Sequence, residues 1–289
     1  MVPETSSSEG PTTADVERSH GAFVPAFEVA SRASRGGRSY QEDTARVWPE
    51  PDPAGPGASL EREVVAVLAD GMGGHAGGAL ASRRACEAFV EVFRSEEGAD
   101  RDRLVRGLEA ANRTLGAIVD ENPLLIGMGC TLVGVAFGRE GAEWVSVGDS
   151  PLMLYRNGEI ALLNEDHSLA PELDRLAAAG HISAEEARRD PRRHMLRSAV
   201  TGEEIELIDL SRKPLRLEPD DYVILASDGL QTLEPSEIER IVTAYAGDGA
   251  DAVARALIRA VDAMRDPHQD NTTVVVVRVM AAKRNSATS

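Results

Sequence analysis

Three aspartates lie at the edges of apolar runs that are far apart in the sequence. Asp70 ends the run VVAVLAD, Asp228 ends YVILASD, and Asp270 comes shortly before TTVVVVRV. Carboxylate oxygens are preferred ligands of hard divalent cations. The pattern therefore predicts one cation site at the rim of a sheet, built from distant segments. Such a site would support metal-assisted chemistry on an oxygen-rich substrate.

Each of these aspartates taken alone has a simpler interpretation. A single aspartate after a strand is commonly a turn residue or a helix cap. Here each one is followed by Gly71, Gly229 or Asn271. Nearby carboxylates repel one another unless a cation lies between them. Three such residues together therefore favour a metal site, in which the carbonyl of Gly71 can also serve as a ligand.

A second cluster contains Arg38, Glu42 and Asp43. The planar guanidinium group of an arginine matches two oxygens of a phosphate. An arginine beside two acids is also commonly an ordinary ion pair. Both interpretations of this cluster stay open until it is considered together with Asp70.

The glycines that follow Asp70 allow another class of function. The segment Gly71-Met72-Gly73-Gly74 stands between a predicted strand and a predicted helix, as in a loose dinucleotide-binding pattern. Such a site requires a second parallel strand about 20 residues later that ends in an acid. In this chain that distance falls within the predicted helix ending at Phe93. A nucleotide-binding domain is therefore the weaker alternative.

Composition excludes several partners. The chain has 289 residues, is 42% hydrophobic and carries a net charge of -17. So acidic a chain is unsuited to non-specific binding of nucleic acid or of anionic membranes, and no apolar run approaches the roughly 20 residues of a membrane span. Its two cysteines, Cys86 and Cys130, have no metal-ligand spacing. We expect them to be buried thiols in a reducing cytoplasm.

The predicted elements indicate an α+β fold. Helices are expected at 76–93, 102–120, 235–242 and 251–264. Strands are expected at 26–32, 44–47, 64–70, 130–137, 143–148, 152–155, 205–210, 222–226 and 273–280. The strands between residues 130 and 155 are separated by turns and are expected to form one antiparallel meander. Helices in pairs and strands in meanders favour two packed sheets flanked by helices.

The domain organisation is expected to be simple. Residues 25–281 are predicted to form a single domain, with disordered polar tails at 1–24 and 282–289. Residues 165–197 are polar and rich in arginine, with short helical pieces. This segment, called the flap segment below, is expected to be mobile and to lie beside the site.

Read together, the two clusters resemble a known family. The segment SRGGRSYQED at 34–43 is similar to the opening motif of the type 2C metal-dependent serine/threonine protein phosphatases, the PPM family, in its bacterial branch. The later motifs of that family are matched in the same order, from about residue 27 to residue 280. They are VVAVLADGMGGHAGG, GCTLVGVAF, VSVGDS, LNEDHS, LRSAVTG, ILASDGL and DNTTVVVVRV.

The resemblance implies a fold and a set of roles. The fold would be a four-layered αββα sandwich with two mainly antiparallel central sheets flanked by helix pairs. Two Mn²⁺ or Mg²⁺ ions would lie at one end of the sheets. The implied roles are Asp70 as the bridging ligand, Glu42 and the carbonyl of Gly71 at one ion, Asp228 and Asp270 at the other, Asp43 and Asn271 behind these ligands, and Arg38 on the substrate phosphate.

The resemblance also implies a reaction. Phosphoserine or phosphothreonine of a protein would be hydrolysed by a metal-activated water that attacks phosphorus in line, without a covalent phospho-enzyme. The cations would supply locally the positive potential that the acidic chain lacks. The substrates would be phosphoproteins, and a cognate serine/threonine kinase would be a partner. The alternative is a catalytically silent phosphoprotein-binding module of the same fold, although the chain lacks none of the core ligands.

The chain departs from the family pattern at several positions. Met72 occupies the place where eukaryotic members have a histidine, a candidate general acid, and a thioether cannot donate a proton. Asp149, with Asp228, resembles the ligand set of a weaker third metal. A further acid of that set is Thr232 here, and the arginine that often follows the Gly-Asp-Ser motif is Pro151. We therefore expect a weak or partial third metal site.

Overall fold

The structure is a computed structural model that describes residues 24–50, 59–60, 63–74 and 76–281. Apart from Val24, the tails expected at 1–24 and 282–289 lie outside the described residues. Their disorder stays a prediction. Most of the proline-rich loop after Trp48 also lies outside them.

The first sheet has six strands, and its centre is the long valine-rich strand near the C-terminus. Val274, Val275, Val276 and Val277 are all 0% exposed, because this strand is covered on both faces. In spatial order the sheet comprises β10 (Glu159–Leu162), β9 (Leu152–Arg156), β12 (Tyr222–Ala226), β13 (Thr272–Ala281), β1 (Pro25–Ser34) and β3 (Ser59–Leu60). Each neighbouring pair is antiparallel.

The second sheet has five strands, all paired antiparallel. In spatial order it comprises β11 (Asp209–Leu210), β8 (Ala142–Val147), β7 (Leu132–Phe137), β4 (Val64–Ala69) and β2 (Thr44–Trp48). A short ladder of β5 (Gly71–Met72) and β6 (Gly129–Cys130) extends beyond it. Since β4 has antiparallel neighbours on both sides, the described residues lack the parallel strand that a dinucleotide-binding site would require.

In the part of the chain that the structure describes, four long helices cover the outer faces of the two sheets. They are α1 (Ala76–Ser95), α2 (Asp100–Glu121), α5 (Pro235–Tyr245) and α6 (Ala250–Met264). The first pair packs on the five-stranded sheet through a core that includes Phe89 and Leu104. The second pair packs on the six-stranded sheet around Leu257. No helix among the described residues is long and apolar enough to cross a membrane.

A third core lies between the two sheets and joins them face to face. It includes Phe27 and Val277 from one sheet and Leu68 and Val133 from the other. The order of layers is therefore helices, sheet, sheet, helices. This arrangement confirms the predicted αββα sandwich.

The expected meander between residues 130 and 155 is wrong. β7 and β8 form a hairpin in the five-stranded sheet, but β9 pairs with β12 in the other sheet. The chain crosses between the sheets at 148–151, where Gly148 has a φ of +102°. A Cβ atom at Gly148 would lie 2.6 Å from Cγ2 of Thr131. Alternating apolar residues predicted the strands correctly, but such a pattern does not specify which sheet a strand joins.

Smaller differences concern the ends of the sheets and the flap segment. The strand expected at 205–210 is reduced to β11, and the edge strand β10 was not predicted. The flap segment contains α3 (Ala170–Ala178) and α4 (Ala184–Arg189). Ser183 and Glu186 form a capping box at the start of α4, and both terminal nitrogens of Arg193 bind Asp174 at 2.8 Å. The mobility of the segment stays a prediction.

Candidate active site

The predicted acids come together at one edge of the sandwich. Asp70 directly follows β4, and Asp228 opens a short 3₁₀ turn two residues after β12. Asp270 precedes β13, which runs antiparallel to β12 and begins beside its end. An open pocket of about 690 Å³ lies at this edge. The predicted residues that line it are Arg38, Glu42, Asp70, Gly71, Asp149, Asp228, Asp270 and Asn271.

The backbone of Asp70 is fixed by a threonine that the sequence did not single out. The backbone amide of Asp70 donates to Oγ1 of Thr131 at 3.0 Å, and the amide of Thr131 donates to the carbonyl of Asp70 at 2.9 Å. Oγ1 of Thr131 also lies 2.7 Å from the hydroxyl of Ser150. This network joins Asp70 to the crossing between the sheets. Thr131 and Ser150 lie inside the quoted motifs, but no spacing rule distinguishes them there.

Glycines bring the main chain close to Glu42. A Cβ atom at Gly71 would lie 2.2 Å from the carbonyl oxygen of Gly78 and 2.6 Å from that of Glu42. At Gly78 it would lie 2.5 Å from Oε1 of Glu42. The amide of Gly71 donates to the carbonyl of Glu42 at 3.2 Å. Side chains at these two glycines would therefore displace Glu42 from Gly71.

Asn271 ties the arginine-containing loop to the start of β13. Its Oδ1 accepts a hydrogen bond from the amide of Glu42 at 2.7 Å. Its Nδ2 donates to the carbonyls of Arg35 and Tyr40, both at 2.9 Å. One side chain therefore holds the backbone on both sides of Arg38, which is a structural reason for an asparagine at this position.

Asp43 lies behind the pocket and does not line it. Its side chain is 7% exposed, and Oδ2 accepts a hydrogen bond from the hydroxyl of Ser227 at 2.8 Å. Burial raises the pKa of Asp43 to about 6, although hydrogen bonds from Ser227 and Thr273 act in the opposite direction. Asp43 therefore lies directly behind the acids that line the pocket, close enough to interact with their charges.

The acids of the pocket repel one another. Burial raises the pKa of Asp70 well above its usual value, and the charges of neighbouring aspartates raise it further. Burial also raises the pKa of Asp149 to about 7, with the charge of Asp228 as the next cause. The pKa of Asp228 is raised by burial and then by the charge of Asp270, and a side-chain hydrogen bond with Asp70, followed by the charges of His194 and Arg38, partly counteracts this. The site is therefore built to attract positive charge.

The donor set fits a hard cation. Oε1 of Glu42, Oδ1 of Asp43 and Oδ1 of Asp228 are buried without a hydrogen-bond partner. Buried carboxylate oxygens of this kind are costly unless a cation or a proton compensates them. Among the described residues, no three acidic, histidine or cysteine side chains already converge in a coordination geometry. Asp270 is instead paired with Arg38, with Nη2 2.5 Å from Oδ2.

The positions that depart from the family pattern have local partners of their own. Met72 lines the pocket, and its methyl group lies near Gly129. The hydroxyl of Thr232 donates to Oε1 of Gln269 at 2.8 Å. Asp149 and Asp228 share the pocket. A weak third cation site at this pair stays a prediction.

The flap segment contributes one wall that the sequence could not place. His194, Met195, Leu196 and Arg197 line the same pocket as the acids. The carbonyl of His167 accepts a hydrogen bond from the amide of Arg197 at 2.8 Å, and this contact holds the end of the segment beside the site. The polar composition of the segment was the one available signal, and it does not reveal which residues face inward.

The chain belongs to the protein phosphatase 2C family, whose family model matches residues 56–271. The serine/threonine protein phosphatase PstP of Mycobacterium tuberculosis is 35% identical over 214 residues, which are 74% of this chain. The serine/threonine phosphatase stp of Listeria innocua is 30% identical over 211 residues, covering 71% of this chain and 78% of the relative. The match spans 40% of the length of PstP.

Solved structures agree with the fold. The crystal structure of PstP/Ppp from Mycobacterium tuberculosis has a TM-score of 0.71 at 30% sequence identity, and the match covers 88% of this chain and 99% of that chain. The catalytic domain of PstP in complex with two manganese ions has a TM-score of 0.68 at 30% identity, with coverage of 89% and 99%. The layered architecture is therefore that of these phosphatases.

Proposed function

We propose that this chain is a metal-dependent protein serine/threonine phosphatase. It removes phosphate from phosphoserine and phosphothreonine in proteins and is thus a phosphoric monoester hydrolase acting in signal transduction. The observation that carries the proposal is the pocket of about 690 Å³ in which Arg38 lies among the carboxylates of Glu42, Asp70, Asp228 and Asp270. Family membership and the likeness to PstP support it.

The proposed cation ligands all line the pocket. Two of them, Glu42 and Asp228, have a buried carboxylate oxygen without a hydrogen-bond partner. Glu42, Asp70, the carbonyl of Gly71, Asp228 and Asp270 would hold two Mn²⁺ or Mg²⁺ ions. Such ions neutralise a phosphate dianion and lower the pKa of the water that attacks phosphorus. The orphaned oxygens of Glu42 and Asp228 support this assignment.

Arg38 binds the substrate phosphate in this proposal. A phosphorylated side chain carries close to two negative charges near neutral pH, and the carboxylates would repel it unless cations are present. The side chain of Arg38 is 52% exposed and is paired with Asp270, so it can exchange that carboxylate for phosphate oxygens. The hydrogen bonds of Asn271 to the carbonyls of Arg35 and Tyr40 hold the loop that contains Arg38 in place.

A catalytically silent binding module of the same fold is the alternative class. Such a module is expected to have lost at least one ligand. This chain keeps every proposed ligand, and no observation favours the silent form.

We also propose a cytoplasmic location and a serine/threonine kinase as the enzyme that supplies the substrate. Cys86 and Cys130 are buried and unpaired, which is typical of a reducing compartment. A phosphatase of this specificity needs a kinase that phosphorylates the same side chains.

Hydrolysis of phosphopeptides tests the function. Rates are compared for matched phosphoserine, phosphothreonine and phosphotyrosine peptides, with Mn²⁺ and with EDTA. We expect hydrolysis of the first two, dependence on Mn²⁺, and loss of activity in Asp228→Asn. Asp102→Asn is the matched control, because Asp102 is exposed on α2 and does not line the pocket. Peptide binding without turnover at saturating Mn²⁺ would favour the silent module instead.

A further inference from the structure

A groove of about 950 Å³ continues from the candidate active site along the flap segment. Asp149, His194, Asp228 and Asp270 line both the pocket and the groove. The two are therefore continuous. A polypeptide that places a phosphate on Arg38 can enter the groove directly.

One wall of the groove is the apolar face of an edge strand. Ile160 and Leu162 are two residues apart on β10 and lie on the same face of the sheet, and both line the groove. Leu162 lies opposite Met153 of β9 in the strand register. No further strand of the described residues covers β10, and Leu162 is 57% exposed.

Another large apolar side chain is exposed in the adjoining pocket. Met195 lines that pocket and is 56% exposed. Exposed apolar surface gathered beside a site typically marks a surface for another macromolecule. A phosphate group alone would leave this apolar surface exposed to water.

The charges along the groove restrict what can enter it. Asp166, Glu234 and Asp266 line it, together with Arg188 and Arg193. Arg193 is already bound through both terminal nitrogens to Asp174. The acids therefore outweigh the available positive charge, and an acidic segment would be repelled.

We propose that this groove binds the segment of the substrate chain next to the phosphorylated residue, in extended form, with a branched aliphatic side chain against Leu162. The inference rests on the proposed function and narrows its substrates. They are phosphoprotein segments that carry an aliphatic residue and no acidic residue on one side of the phosphate.

A leucine scan of phosphothreonine peptides tests the groove. A single leucine is moved through each position before and after phosphothreonine in a serine and glycine background, and kcat/KM is measured with Mn²⁺. Leucine at a position on one side is expected to raise kcat/KM about tenfold over serine, which corresponds to burying roughly half of a leucine side chain. Aspartate at the same position is expected to lower it.

The matched variants are Leu162→Ser and Leu124→Ser. Leu124 is 93% exposed and lines neither the pocket nor the groove. The ratio of kcat/KM for the leucine peptide to that for the serine peptide should fall to about one in Leu162→Ser and stay unchanged in Leu124→Ser. The ratio cancels any general change in activity. No preference at any position, or a preference that survives Leu162→Ser, overturns the proposal.

Two further readouts separate this inference from the proposed function. p-Nitrophenyl phosphate is too small to reach the groove, so failure of the wild-type protein to hydrolyse it with Mn²⁺ refutes the phosphatase function alone. Binding of the unphosphorylated leucine and serine peptides, measured by fluorescence anisotropy, needs no turnover. Tighter binding of the leucine peptide to the wild type than to Leu162→Ser supports the groove, and equal binding overturns it.

Discussion

Arg38 and Asp270 are 232 positions apart in the sequence, and Nη2 of the arginine lies 2.5 Å from Oδ2 of the aspartate. Both belong to the candidate site, one as the proposed phosphate ligand and the other as a proposed cation ligand. Each neutralises the other in this structure. Binding of a cation by Asp270 would release Arg38 for phosphate, so we infer that the two binding events support each other.

Replacement of Arg38 should weaken the capture of phosphate. We expect Arg38→Ala to lower kcat/KM for a phosphothreonine peptide by about 100-fold, since a charge-assisted hydrogen bond contributes about 1.5–3 kcal/mol. Arg38→Lys should recover part of the loss, because an ammonium group lacks the planar fork. Arg113→Ala is the control, since Arg113 is exposed on α2 and pairs with Glu109. Unchanged kinetics in Arg38→Ala would contradict the assigned role.

The buried acids of the site should make the metal-free protein less stable as pH rises. The pKa of Asp149 is about 7 and that of Asp43 about 6 in the folded state, both raised mainly by burial. The folded protein therefore binds more protons than the unfolded chain between pH 4 and 7, approximately. The free energy of unfolding should fall across this range by on the order of a few kcal/mol. Urea denaturation at several pH values in EDTA measures it.

A variant and added Mn²⁺ extend the urea denaturation experiment. Asp149→Asn should reduce the pH dependence of the free energy of unfolding, because it removes one of the carboxyl groups whose pKa is raised. Mn²⁺ at about 100 times its dissociation constant should add about 2.7 kcal/mol per site near pH 7. A free energy of unfolding that stays flat or rises between pH 4 and 7 in EDTA would contradict the raised pKa values of these buried acids.

Asn271 should matter for both stability and activity. Asn271→Ala removes the partners of the Glu42 amide and of the Arg35 and Tyr40 carbonyls. We expect a loss of about 1–3 kcal/mol, since an unsatisfied group costs about 1–3 kcal/mol when it is buried and these hydrogen bonds are partly buried, together with a fall in kcat.

The control for this variant is Asn112→Ala. The Asn112 side chain also bridges backbone groups, those of Gly202 and Glu203, but it touches none of the proposed ligands. Thermal melting and initial rates are compared for the two variants. If both lost stability and activity to the same extent, the effect of Asn271 would be general and unrelated to the positioning of Arg38.

A methyl group at Gly71 should disrupt the proposed metal site. The added Cβ would lie 2.2 Å from the carbonyl oxygen of Gly78, so the backbone must move. We expect Gly71→Ala to reduce Mn²⁺ affinity, measured by calorimetry, and to lower activity at limiting Mn²⁺. Gly77→Ala is the control, because its Cβ would meet Cβ of Met128 at an ordinary 3.5 Å and alanine favours a helix. Equal Mn²⁺ affinity in both variants would contradict the role of Gly71.

The three aspartates can be singled out in the sequence because each follows or precedes a strongly apolar strand. Asp70, Asp228 and Asp270 meet at one edge, since β12 and β13 are antiparallel and β4 ends beside them in the facing sheet. The layers were also predictable from the helix pairs. The strand-edge aspartates and the helix pairs are both visible in the residue pattern of a single segment.

What the sequence did not predict depends on contacts between distant segments. The transfer of β9 to the other sheet follows from the turn at Gly148, and alternation of residue types does not encode it. Thr131 and Ser227 support Asp70 and Asp43 through hydrogen bonds, and ordinary hydroxyl residues give no signal for such a role. The pairing of Arg38 with Asp270 likewise becomes visible once the loop and β13 are packed together.

The most direct test of the metal-dependent mechanism is the initial rate of phosphothreonine-peptide hydrolysis as a function of free Mn²⁺, for the wild type and for Asp70→Asn. We predict that the wild-type rate falls to background in EDTA, returns when Mn²⁺ is added back, and saturates. Asp70→Asn should stay near background at every Mn²⁺ concentration. Hydrolysis that persists in EDTA, or an Asp70→Asn rate equal to that of the wild type, would contradict a cation centre built on these carboxylates.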